Sequence, residues 1–151
     1  MTQQNMTTSR FNLQRFIVAQ QPLYATVLAE FKGGRKRTHW MWFIFPQVEG
    51  LGSSEMAQRY AIKNRAEAAA YLAHPLLGAR LLSCAEDLLQ VEGRTAHETF
   101  GSPDDLKLRS CATLFAAVAL DGSVFQQLLR KFFAGEPDAR TLALLGCRGA
   151  A

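Results

Sequence analysis

Apolar residues recur every three or four positions along most of this chain, and that spacing leaves little room for any architecture but packed helices. Phe16 and Ile17 open one stripe, which Tyr24, Val27, Leu28 and Phe31 continue. Leu77, Leu81, Ala85, Leu88 and Leu89 form a second, and Leu108, Cys111, Phe115 and Val118 a third. Phe125, Leu128, Leu129, Phe132 and Phe133 form a fourth. No stretch alternates polar and apolar residues with β-branched side chains, as a half-buried strand would. The reading is all-α: one compact multi-helix domain, with a single short strand allowed at Met41 to Phe45.

Cap chemistry sets the boundaries. Residues 1–10 are polar, rich in Thr and Gln and without periodicity, so they are expected to form a disordered tail. The helical domain is placed at 11–146, with 147–151 fraying. Pro22 breaks the first stripe and is placed in the first turn of the second helix, which Gly33-Gly34 ends. Ser53 or Ser54 caps a short helix toward Tyr60, and Asn64-Arg65-Ala66-Glu67 has the form of a capping box. His74-Pro75 stops that helix, and His74 is expected to satisfy backbone groups at the junction. Ser102-Pro103-Asp104-Asp105 is the clearest helix start: serine as cap, proline in the first helical position, two carboxylates against the positive end of the dipole. Asp121-Gly122-Ser123 introduces a helix that Gly135 ends, and Asp138 caps a last one carrying Leu142 and Leu145.

A length of 151 residues suits one domain. Cys84, Cys111 and Cys147 are odd in number and lack CxxC spacing, which points away from disulfides or zinc and toward a reducing compartment. Cys111 lies on a buried stripe and reads as core, and His97 reads as surface. The histidines are scattered, and GxSxG, Walker, GxGxxG and HExxH patterns are lacking, so neither metal nor cofactor is expected. The longest apolar run, Trp40 to Pro46, is far short of a membrane span, and no leader pattern stands at the start. A cytoplasmic location without membrane contact is expected.

The most unusual segment is His39-Trp40-Met41-Trp42-Phe43-Ile44-Phe45-Pro46-Gln47. Its four large rings each carry about 150–250 Å² of surface. They pack as core, or one or two of them line a pocket and stack on a flat ligand. The framing favours attention to the second reading. His39 can move a proton, though it can equally end a buried run. Arg35, Lys36 and Arg37 lie just upstream, within a basic run at 32–37 that accounts for much of the net charge of +4. Such a run is either solvated surface or a seat for phosphate. On the helix from Asp104, the residues Asp104, Lys107, Ser110 and Thr113 make a polar line, read as a solvent-facing ridge unless it turns to a pocket. Asp105 and Arg109, four apart, are expected to pair.

The aromatic segment, Gly50-Leu51-Gly52, Tyr71-Leu72 with His74-Pro75, Leu77-Gly78 with Arg80-Leu81, and Phe100-Gly101 with Pro103-Asp104-Asp105 and Lys107 together resemble the bacterial family called domain of unknown function 1810. The resemblance runs from about Leu13 to Leu145 and implies a mainly helical fold without an assigned activity. The order of elements is also similar to the NADAR superfamily, which includes the YbiA-like proteins and is associated with ADP-ribose and N-glycoside hydrolysis. That superfamily carries a Glu-His pair where this chain has Thr38-His39, a departure that bears on hydrolysis more than on binding.

These readings converge on a binder, or an N-glycoside hydrolase, of a nucleotide-like ligand. Trp40 or Trp42 would stack the base, and Lys36 or Arg37 would hold phosphate. His39 and Asp104 would handle protons, while Gln47 and Lys107 would add contacts. Two alternatives stay open: a non-catalytic helical module for a protein partner, and a nucleic-acid binder through residues 32–37, ranked below the small molecule. Oligomeric state is left open.

Overall fold

A computed structural model describes residues 11–147, with only the backbone of Cys147. Helices α1 (Gln14–Gln20) and α2 (Tyr24–Lys32) flank Pro22, which sits just ahead of α2 and not inside its first turn. A short α3 (Met41–Ile44) leads through a loop to α4 (Glu55–Arg59), α5 (Arg65–Ala73) and α6 (Leu77–Leu89). Then come α7 (Ala96–Phe100), α8 (Asp104–Ala116), α9 (Val124–Phe133) and α10 (Ala139–Cys147). The result is a compact all-α domain. The expected tail at 1–10 and most of the fraying end, 148–151, lie outside the described residues.

The strand allowed at Met41 to Phe45 is instead the helical turn α3. Trp40, Met41, Phe43, Ile44 and Phe45 are all buried. A strand would send them to two opposite faces, whereas one helical turn lying among helices covers them all. Among the described residues the one strand-like pairing is a parallel bridge between Val48 and Ile62. Trp40 is the centre of a ring cluster, with Phe31, Phe45 and Phe100 at centroid distances of 5.5, 6.1 and 6.1 Å.

Most starts follow the cap chemistry. Ser54, Asn64, Ser123 and Asp138 each accept a backbone N–H from the first turn that follows. The box at Asn64 closes on one side only: Glu67 turns its carboxylate away to the Lys63 N–H (2.9 Å) and to Arg15 (2.9 Å). Ser102 does not cap; Pro103 takes the position before α8, and Asp104 and Asp105 occupy the first turn as expected. A full capping box, Thr95 with Glu98, starts α7, a helix the apolar spacing does not reveal. On α10, Leu145 is buried and Leu142 is 43% exposed.

Two junctions hold neighbouring helices at fixed angles. Arg15 donates to the carbonyls of Phe11, Asn12, Arg59 and Ala61 and to fully buried Glu67, tying α1 to α4 and α5. Between α5 and α6, His74 accepts the Leu76 and Leu77 N–H groups on Nδ1 at 3.1 and 3.2 Å. Burial holds the His74 pKa below its ordinary value. Protonation would remove this acceptor.

His74 is more readily protonated in the unfolded chain, so its contribution is complete above about pH 6.5 and is lost as pH falls through the lower folded value. His74→Asn offers an oxygen to the same two N–H groups without a titrating ring. Urea unfolding at pH 7.5 and pH 5 should therefore show a smaller stability loss for His74→Asn than for the native chain; equal losses would remove His74 from the account.

Among the described residues, no helix is long and apolar enough to cross a membrane.

Candidate functional site

The basic run after α2 is a folded structure, and Glu30 folds it. This carboxylate lies beside Phe31 on the buried side of α2 and accepts four hydrogen bonds. The donors are the Arg37 N–H (2.8 Å), the Thr38 N–H (3.3 Å), the Thr38 hydroxyl (2.6 Å) and the Trp40 indole N–H (2.8 Å). Burial by itself would raise its pKa, but the bonds from Thr38, Arg37 and Trp40 outweigh it and hold the carboxyl below its usual value. The Lys36 N–H meanwhile donates to the Thr99 carbonyl at 2.7 Å. The run is thus pinned at both sides of Lys36.

That pinning aims Lys36 at the start of α8. Its ammonium lies 2.8 Å from one carboxylate oxygen of Asp104 and 5.1 Å from the Trp40 ring centroid. One turn along α8, the Lys107 ammonium lies 3.5 Å from the other Asp104 oxygen and 4.7 Å from the Trp42 ring centroid. Two ammoniums, each over an indole, therefore share one carboxylate. Their side chains are partly enclosed, at 7% exposure for Lys36, 20% for Asp104 and 24% for Lys107.

The family model for "Protein of unknown function (DUF1810)" matches residues 10–145. The chain belongs to this family. It is 52% identical to the conserved hypothetical protein Rv1873 from Mycobacterium tuberculosis, whose crystal structure matches with a TM-score of 0.89 over 91% of this chain and 98% of that one. None of the curated proteins matches the chain.

Of the eight residues singled out from the sequence, this DUF1810 chain brings five together: Lys36, Trp40, Trp42, Asp104 and Lys107. Their roles differ from those expected. Trp40 is 0% exposed with its indole N–H engaged by Glu30, so it supports the site from beneath. Trp42 is half-buried and is the tryptophan able to meet a ligand. His39 is exposed, and its side chain makes no hydrogen bond or ion pair with the described residues. Arg37 is held through its backbone, with its side chain exposed. Gln47 and Trp42 line a separate recess with Leu51, Gly52 and Tyr60, only about 20 Å³ in volume, room for about one water.

The polar line on α8 ends at Lys107. Ser110 and Thr113 are buried, and their hydroxyls donate back to the carbonyls of Leu106 (3.2 Å) and Arg109 (2.8 Å). The solvent-facing ridge is corrected accordingly. The Asp105–Arg109 pair is not formed either. Asp105 lies 3.5 Å from His97 on α7, while Arg109 donates to the Glu136 carbonyl at 3.0 Å. Partners outside the helix win over the four-residue spacing.

Two cysteines have described side chains, Cys84 and Cys111, and both are buried. Burial pushes the Cys84 thiol up to about 12 and Cys111 well above its ordinary value, so neither is a thiolate nucleophile near neutrality. Among the described residues no three His, Cys, Asp or Glu side chains gather as a metal-binding group. Two of the larger cavities lie away from the lysine pair. One, about 410 Å³, is lined by Phe31, Lys32, Gly34, Asp87 and Arg94. The other, about 390 Å³, lies among Ala117, Leu129, Arg130 and Leu142.

Sequence reasoning missed Glu30. Its signal is a carboxylate three residues after Val27 and next to Phe31, within the apolar stripe, where an unpartnered charge would be too costly to bury.

Proposed function

We propose that the chain binds a small ligand joining a flat ring to a phosphate, a nucleotide-like molecule, on the face made by Trp42, Lys107, Asp104 and Lys36. The supporting observation is the convergence of two ammoniums beside a half-buried indole. Ring and anion can be met there at once. Hydrolysis of an N-glycosidic bond of the ADP-ribose kind, which similarity to the NADAR superfamily implies, is the finer reading. In it the exposed His39 would move the proton. Asp104 is poorly suited to the carboxylate role, because two lysines already hold its oxygens and draw off the charge that an oxocarbenium-like sugar needs. Binding is therefore the primary reading and hydrolysis the secondary one.

A second reading rests on Lys32, Arg35 and Arg37, whose exposed side chains make no ion pair with the described residues. They are available to the phosphates of a nucleic acid.

A thermal-shift panel of nucleotides, NAD and ADP-ribose tests the first reading. A ligand at one hundred times its dissociation constant adds about 2.7 kcal/mol. In a chain of this size that raises Tm by roughly 5–10 °C. The shift should vanish in Lys107→Ala. A flat response across the panel overturns the reading, and salt-sensitive binding of an oligonucleotide in place of it would favour the second.

A further inference from the structure

Residue type and position suit Asp104 to a working carboxylate, but its surroundings give it a different part. Each ammonium has a contact besides Asp104. Lys36 leaves a backbone pinned on Glu30 and Thr99, and its ammonium lies 5.1 Å from the Trp40 ring centroid. Lys107 leaves α8 with its ammonium 4.7 Å from the Trp42 ring centroid. Each ammonium takes a different oxygen of the same carboxylate, at 2.8 and 3.5 Å. Without that carboxylate, two positive charges, each retaining its ring, would face one gap.

A phosphoryl group presents a pair of oxygens at nearly the separation of a carboxylate pair, with more negative charge and a further oxygen to spare. We infer that Asp104 is a built-in stand-in for the phosphoryl group of the ligand, occupying a two-lysine phosphoryl seat that the ligand takes over by displacing it. This rests on the nucleotide-like reading above and deepens it. The longer Lys107 contact is the one that yields first, since Lys107 is the more exposed of the two lysines. The seat is open only while the carboxylate is away, so measured affinity is the intrinsic affinity reduced by the open fraction. Removing the carboxylate should therefore strengthen anion binding. Any negative charge lost nearby favours an anion somewhat, so the mark of the seat is tightening beyond that given by removing a neighbouring carboxylate.

The test is isothermal titration of pyrophosphate and of ADP-ribose into the native chain, Asp104→Asn and Asp105→Asn at low ionic strength. Asp105 lies in the same first turn but pairs with His97, so its variant removes an equal charge without opening the seat. Asp104→Asn should bind pyrophosphate about tenfold more tightly or better, and Asp105→Asn within about twofold of the native chain. Asp104→Ser, which keeps a side chain suited to a helix start, replaces the Asn variant if that one does not fold. Unchanged or weaker pyrophosphate binding in the Asp104 variants overturns the inference, as does equal tightening in Asp105→Asn. Tightening for pyrophosphate with no ADP-ribose binding in any chain keeps the seat and removes the nucleotide. Native binding of ADP-ribose that Asp104→Asn weakens does the reverse.

Discussion

Gly78→Ala is expected to cost about 3 kcal/mol or more, although alanine is the better helix former by about 1 kcal/mol. A Cβ at position 78 would lie 2.0 Å from the Leu72 carbonyl oxygen and 2.8 Å from the carbonyl carbon. Both are backbone atoms, so no side-chain rotation relieves the overlap. The end of α5 would have to move, and it carries Tyr71. That ring is fully buried, edge-on to Phe16 at 5.0 Å and against Phe115 at 5.5 Å. Its hydroxyl accepts from Gln20, which also donates to the Phe43 carbonyl. A shift at Leu72 thus reaches α1, α3 and α8. Denaturation should show a lower midpoint with little change in slope. A variant as stable as the native chain would mean that α5 and α6 do not approach this closely.

Trp40→Ala and Trp42→Ala should separate fold from site. Trp40 sits among Phe31, Phe45 and Phe100, so its truncation is expected to cost about 3–5 kcal/mol, with Glu30 losing one of its donors as well. Trp42 is half-buried, and its truncation should cost under about 2 kcal/mol while abolishing the ligand-induced rise in Tm. Denaturation midpoints and thermal shifts on both variants check this. A Trp42→Ala chain that still responds to the ligand would move the site elsewhere, and a tolerant Trp40→Ala would contradict its place in the core.

Much of the helical architecture is legible because cap and stripe agree. Ser54, Asn64, Ser123 and Asp138 all start helices where their spacing to the next apolar face requires. What fails is of two kinds. Met41 to Ile44 is buried on nearly every side, so it has no polar face from which a period could be read, and its helical turn is invisible to pattern. The five-residue α7 is too short for a stripe, although Thr95 and Glu98 mark it. Long-range partners form the second kind. Spacing offers Arg109 to Asp105, but the folded chain offers it Glu136.

The site divides in the same way. Lys36, Trp42, Asp104 and Lys107 could be singled out by residue type and place along the chain, and the fold brings them together. That Asp104 is neutralised from both sides, and that Glu30 shapes the basic run, depends on packing between helices far apart in sequence.

Arg15 fixes an order of events during synthesis. Its guanidinium partners at Arg59, Ala61 and Glu67 come 44, 46 and 52 residues later. At about 5–20 residues per second, Glu67 is polymerised roughly 3–10 s after Arg15. Until then the Arg15 guanidinium lacks its carboxylate and has the Phe11 and Asn12 carbonyls as its earliest partners. Helix α1 is therefore made well before its arginine is fully engaged, a latch whose keeper is delivered only when α5 arrives.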